Sequence, residues 1–101
     1  MSNVISINKV RAHGTALVWR RSRVELTVSA AYAVAEEIYE LLNLPGRSAL
    51  HGLVIDATDR RLVVISGRGF GPASMARSEA AELALTLARE STRHLEARRR
   101  S

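Results

Sequence analysis

The feature that most constrains this chain is a change in the spacing of its apolar residues. In the segment Thr15–Val28 large apolar residues recur at every second position, first at Leu17 and Trp19 and then at Val24, Leu26 and Val28, a period of two that is typical of β-strands. In the segment Ala30–Leu42 the apolar residues recur at helical spacing, and three glutamates occupy the other face. Both element types are therefore needed, and we predict an α+β fold.

The first helix is predicted over Ala30–Leu42, with Ser29 as its N-cap. Pro45 and Gly46 end it, because proline disfavours the helical region for the residue before it and glycine permits a turn. The face toward the core is Ala31, Val34, Ala35, Ile38, Leu41 and Leu42, and the other face carries Glu36, Glu37 and Glu40.

Two regions before this helix are predicted to form strands. One strand lies within Val4–Val10, and His13-Gly14 marks a turn after it. In Thr15–Val28 the two alternating stretches are separated by Arg20-Arg21-Ser22-Arg23. This pattern indicates either a hairpin with an arginine-rich tip or one long bent strand.

A second hairpin is predicted after the helix. Leu53–Ile55 and Leu62–Ile65 are short β-branched runs, and Asp56–Arg61 between them is polar and turn-prone. Both faces of these strands are apolar, so they are either central strands or covered on one face by a partner chain.

The last element is predicted to be a long helix that starts at Pro72 and runs to about Ala97. We therefore expect a small antiparallel sheet of about three to five strands packed against two helices, in the order β(β)-α-β-β-α. Leu85 points away from the core face of this helix and is a candidate partner contact.

Composition limits the class of protein. The 101 residues are 47% hydrophobic, enough for one core and one domain, with residues 1–3 and 98–101 expected to be flexible. No residue is cysteine, which excludes disulfides and thiolate metal sites. No secretory signal or membrane span is evident, so we expect a cytoplasmic protein with no membrane association.

Charge is segregated along the chain, whose net charge is +5. Five basic residues and no acid occur before Glu25, whereas the first helix contains acids and no base. The two regions could neutralise each other within a monomer or across a homodimer. Fourteen of the fifteen basic residues are arginine, a bias that GC-rich bacterial or phage genomes also produce.

The candidate partner-binding residues form two groups. The hairpin tip contains Trp19, Arg20, Arg21 and Arg23. Arginine can bind a carboxylate or a phosphate through two parallel hydrogen bonds. The first helix offers an acidic and aromatic strip around Tyr32 and Tyr39. The alternatives are a solvated turn, a tryptophan in the core, and tyrosines at the edge of the core.

The glycine-rich segment before the last helix is a candidate anion or nucleic-acid site. A strand, a glycine turn and a helix N-terminus present free N–H groups to an anion. The residues involved are Arg68, Gly69, Phe70, Ser74 and Arg77. The glycine spacing matches neither a dinucleotide fingerprint nor a phosphate loop, and the alternative is a plain connector.

Arg68-Gly69-Phe70-Gly71 resembles the start of the ribonucleoprotein signature of the RNA-recognition-motif family. That resemblance implies a sheet surface on which aromatic side chains stack unpaired bases. The chain departs from the family in three ways. Pro72 stands where the family has a stacking aromatic, Leu62–Ile65 precedes the motif as a strand, and little chain remains for a fourth strand.

The sequence predicts binding rather than catalysis. His13, His51 and His94 are scattered, and no nucleophile-elbow serine, metal-ligand spacing or cofactor motif is present. We expect a small regulatory or inhibitory protein, encoded by a phage or mobile element, that binds a host protein and forms a homodimer. The alternative is a nucleic-acid-binding protein that uses the basic hairpin and the glycine segment.

Overall fold

The computed structural model describes residues 9–100, and the side chains of residues 9–97. Over this range it is an α+β fold, as the sequence predicts, and it contains two antiparallel sheets and two helices. The elements are β1 (Arg11–His13), β2 (Ala16–Trp19), β3 (Ser22–Val24), α1 (Val28–Asn43), β4 (Arg47–Leu50), β5 (Leu53–Asp56), β6 (Leu62–Gly67), β7 (Phe70–Ala76) and α2 (Arg77–Arg100).

The strands are divided between two sheets rather than gathered in one. Strands β1, β2 and β3 form a three-stranded sheet, and β4 to β7 form a four-stranded sheet, each in sequence order. The arginine-rich segment is a hairpin and not a bent strand, because β2 pairs with β3 around Arg20 and Arg21. The hairpin predicted after the first helix is the pair β5 and β6.

The strand predicted within Val4–Val10 lies mostly outside the described residues, and a short strand that the sequence did not predict follows it. Residues 4–8 lie outside the described residues, Lys9 and Val10 are not in a strand, and β1 begins at Arg11. Strand β4 was also missed. Its four residues alternate between exposed and half-buried, and Leu50 is its only large apolar side chain, so no apolar run marks it.

Pro72 does not begin the second helix, which starts at Arg77. Instead Pro72 lies within β7, in which Phe70, Ala73 and Met75 are buried and an irregularity in the pairing with β6 interrupts the alternation between Phe70 and Ala73. Because β7 is at the edge of the four-stranded sheet, proline's missing N–H removes no hydrogen bond that the sheet needs.

The N-cap of helix α1 lies two residues before the predicted cap. Thr27 is the N-cap, and its Oγ1 accepts a hydrogen bond from the backbone N–H of Ala30 at 3.1 Å. Ser29, the predicted cap, is already in the helix. At the other end the N–H of Leu44 donates to the carbonyl of Glu40.

One hydrophobic cluster joins the helices to both sheets. Its largest fully buried side chains are Phe70, Leu17, Ile38, Leu53, Ile55, Ile65 and Leu87. The three-stranded sheet adds Leu17, and half-buried Trp19 packs its ring against Phe70 with centroids 6.1 Å apart. This aromatic contact connects the β2–β3 hairpin to the first residue of β7.

We expect Phe70→Ala to lower the free energy of unfolding by about 3–5 kcal/mol, since Phe70 is 1% exposed and its loss leaves a cavity beneath Trp19. Urea denaturation followed by circular dichroism measures this. The control Leu85→Ala, at a side chain that is 44% exposed, should change stability by no more than about 0.5 kcal/mol. A similar small change for Phe70→Ala would contradict the packing described.

Candidate binding surface

The outward side of the three-stranded sheet carries a row of aligned side chains. Arg11 in β1 lies opposite Val18 in β2, and Val18 lies opposite Arg23 in β3. His13 is two residues from Arg11 and therefore shares its face. We call these four residues, Arg11, His13, Val18 and Arg23, the basic face.

The basic face is a shallow depression with an apolar floor and cationic walls. It has a volume of about 300 Å³ and is lined by the four residues and Ala12. Arg23 Nη1 lies 3.3 Å from His13 Nδ1, and Arg23 Nε donates to Glu25 Oε1. Arg11 forms no ion pair with any described residue, so its guanidinium is available to a ligand.

Sequence reasoning found Arg23 but missed Arg11 and His13. No strand is predicted between Val10 and Thr15, because His13-Gly14 indicates a turn. The signal was present in the order Arg11-Ala12-His13, a polar-apolar-polar alternation in which Ala12 packs against the core. The alternation of a half-buried strand was thus visible in three residues, too few to predict a strand from sequence alone.

The predicted cluster at the hairpin tip is divided between the two sides of the sheet. Trp19 faces inward onto Phe70, whereas Arg20 and Arg21 are exposed at the tip. Arg20 has a φ of 54°, and its Cζ lies 4.5 Å from the centroid of the Trp19 ring, a cation–π contact. Trp19 therefore anchors the hairpin, and the arginines are presented to solvent.

The strip on α1 is placed as the sequence predicts. Tyr32 and Tyr39 are 44% and 39% exposed, and Glu36 and Glu40 are exposed beside them. We call these four residues the acidic strip. None of them forms an ion pair with a described residue, so the neutralisation within a monomer that the sequence suggested does not occur on this helix.

The predicted anion site is not a single site. Arg68 and Gly69 form the turn between β6 and β7, and the seven-residue strand β7 separates them from Arg77 by about 20 Å. Phe70 is buried and cannot stack on a base. Ser74 is exposed along the strand. A glycine turn followed directly by a helix N-terminus, on which the prediction depended, does not exist.

Arg77 is bound within the fold. Its Nη2 donates to the carbonyl of Leu42 at 2.7 Å and of Leu41 at 3.4 Å, and its Nη1 donates to the carbonyl of Asp59 at 3.1 Å. The first two are carbonyls at the C-terminal end of α1, which lack partners within the helix. Arg77 thus joins the end of α1 to the start of α2.

The three histidines belong to β1, to a turn and to α2. His51 lies in the β4–β5 turn and His94 on α2, and no group of three metal-ligating side chains occurs in the described part of the chain. Asp56 accepts hydrogen bonds from the hydroxyl and the N–H of Thr58. These bonds, with the charge of Arg47, lower the pKa of Asp56.

Leu85 is exposed on α2, as the sequence indicates, and belongs neither to the basic face nor to the acidic strip. Neither helix, over the residues described, is long and apolar enough to cross a membrane.

The chain matches no family model, and the searches of curated proteins and of solved structures found no match either. The basic face and the acidic strip therefore have to be interpreted from their chemistry.

We expect Arg77→Ala to lower the free energy of unfolding by about 1.5–3 kcal/mol, the range for hydrogen bonds to a charged group. Thermal and urea unfolding measure the change. Arg89→Ala is the matched control, because Arg89 is an exposed arginine on the same helix. Equal stability of the two variants would show that the carbonyl contacts of Arg77 contribute nothing.

Proposed function

We propose that this protein is a non-enzymatic regulatory or inhibitory protein that binds an acidic surface of a partner protein with its basic face. The observation that carries the proposal is the alignment of Arg11, Val18 and Arg23 across three strands. An inhibitor of this kind acts by covering a functional surface of its partner, which needs no catalytic group.

The chemistry of the basic face specifies the kind of surface that it fits. Arginine forms bidentate hydrogen bonds with carboxylates, and the half-buried Val18 between the two arginines offers an apolar contact. A matching surface has an apolar or aromatic side chain flanked by Asp or Glu. Arg20 and Arg21 at the hairpin tip extend the positive charge and speed the encounter with such a partner.

The small number of cations on the basic face favours a protein over a nucleic acid as the partner. The exposed carboxylate of Glu25 pairs with Arg23, which reduces the charge that this face offers to a phosphate backbone. Nucleic-acid affinity arises mainly from many lysine and arginine contacts to phosphate. A basic face with two arginines, one of them already paired, is a better match to a few carboxylates.

The test is affinity capture from a nuclease-treated lysate of the native host, with mass spectrometry of the bound proteins. We expect the variant Arg11→Glu/Arg23→Glu to capture at least about tenfold less of a partner protein than the unchanged protein does. Each lost charged contact is worth about 1.5–3 kcal/mol. The control Arg60→Glu/Arg89→Glu reverses two exposed arginines away from the basic face and should retain the partner.

Equal capture by both double variants would exclude the basic face as the contact surface. If binding depends instead on material that nuclease removes, the partner is a nucleic acid. Titration of labelled DNA and RNA at two salt concentrations would then report the number of phosphates contacted.

A further inference from the structure

We infer that the basic face also accepts the acidic strip of a second copy of this chain, so that the protein associates with itself through complementary charge. This inference rests on the proposed function, because it names an occupant for the same surface. It is carried by two observations on one molecule: a cationic depression with an apolar floor, and an exposed acidic and aromatic helix face whose carboxylates form no ion pair with a described residue.

The acidic strip has the chemistry that the basic face requires. Tyr32, Glu36, Tyr39 and Glu40 are spaced so that they share one side of α1. All four are exposed. Helix α1 contains no basic residue between Val28 and Asn43, so nothing on the helix itself neutralises the two glutamates.

The two surfaces also match in arrangement. On the basic face Val18 lies between Arg11 and Arg23, which are two strand spacings or about 10 Å apart. On the strip an aromatic ring lies beside carboxylates at successive turns of the helix. A tyrosine ring placed over Val18 brings Glu36 and Glu40 within reach of long arginine side chains, which form charge-assisted hydrogen bonds with carboxylates.

A single molecule does not form this contact within itself. The ion pairs among the described side chains are Lys9–Glu82, Arg23–Glu25 and Arg93–Glu90, and none of them involves α1. Only Glu25–Thr27 separates β3 from α1, so the two surfaces follow each other closely along the chain. In the arrangement that we infer, a two-fold axis relates the two copies and the contact forms twice, which gives a closed dimer.

Sedimentation velocity tests the inference with two variants that reverse one surface each. Arg11→Glu/Arg23→Glu makes both surfaces acidic, and Glu36→Arg/Glu40→Arg makes both basic. Each variant alone should be monomeric, because like charges face each other. An equimolar mixture of the two should associate, because both contacts then pair opposite charges again.

The unchanged protein should form a dimer at about 0.1 M salt and dissociate at about 1 M, as the Debye length falls from about 10 Å to about 3 Å. The control Arg60→Glu/Arg89→Glu should dimerise like the unchanged protein. Circular dichroism confirms that every variant is folded. An unchanged protein that remains monomeric at the lower salt, or a mixture of folded variants that does not associate, would overturn the inference.

Failure of this inference is distinguishable from failure of the proposed function. Glu36→Arg/Glu40→Arg leaves the basic face unchanged, so this variant should still capture the partner protein even where it cannot pair with itself. Loss of self-association with partner capture retained is therefore the result expected if both statements are correct.

Discussion

The contact between Trp19 and Phe70 determines which side of the three-stranded sheet is buried and which is exposed. Trp19 lies on the same side of its strand as Leu17, and both pack toward the core. Because side chains alternate strictly along a strand, burying that side places Arg11, His13 and Arg23 on the other. The arginines are exposed together as a consequence of core packing, and a shift of one residue in register would bury them.

The acidic strip depends on packing in the same way. Helix α1 buries Ala31, Val34 and Ile38, and Arg77 fixes its C-terminal end by donating to two of its carbonyls. With one face packed and the end held, the opposite face has to be presented to solvent. The molecule therefore has two oppositely charged surfaces whose positions are set by apolar contacts rather than by the charges themselves.

Much of this arrangement could be predicted from periodicity. Helix α1 extends only a few residues beyond its predicted limits, since a long amphipathic pattern is the strongest local signal. Strand β7 could not be predicted, because Pro72 and the glycines before it are typical of a loop between elements. A strand tolerates them only where it pairs at the edge of a sheet. The role of Arg77 could not be predicted, because its partners, Leu41 and Leu42, are more than thirty residues away in sequence.

The candidate binding surface could be predicted only in part, because pairing between strands brings its residues together. The hairpin arginines are visible as a charged run, but the row that joins Arg23 to Arg11 exists only through the pairing of three strands. Sequence could indicate that positive charge is concentrated near the hairpin. The sequence could not show that Trp19 faces inward while the arginines around it are exposed. That orientation depends on the contact with Phe70, which is about fifty residues away in sequence.

The most direct test of this account is to cover the floor of the basic face without changing its charge. The chain contains no cysteine, so Val18→Cys can be coupled to a bulky neutral thiol reagent at that position alone. The account predicts that the coupled protein unfolds at the temperature of the uncoupled Val18→Cys variant but no longer captures a partner protein. Undiminished capture by the folded, coupled protein would contradict the claim that this face is the binding surface.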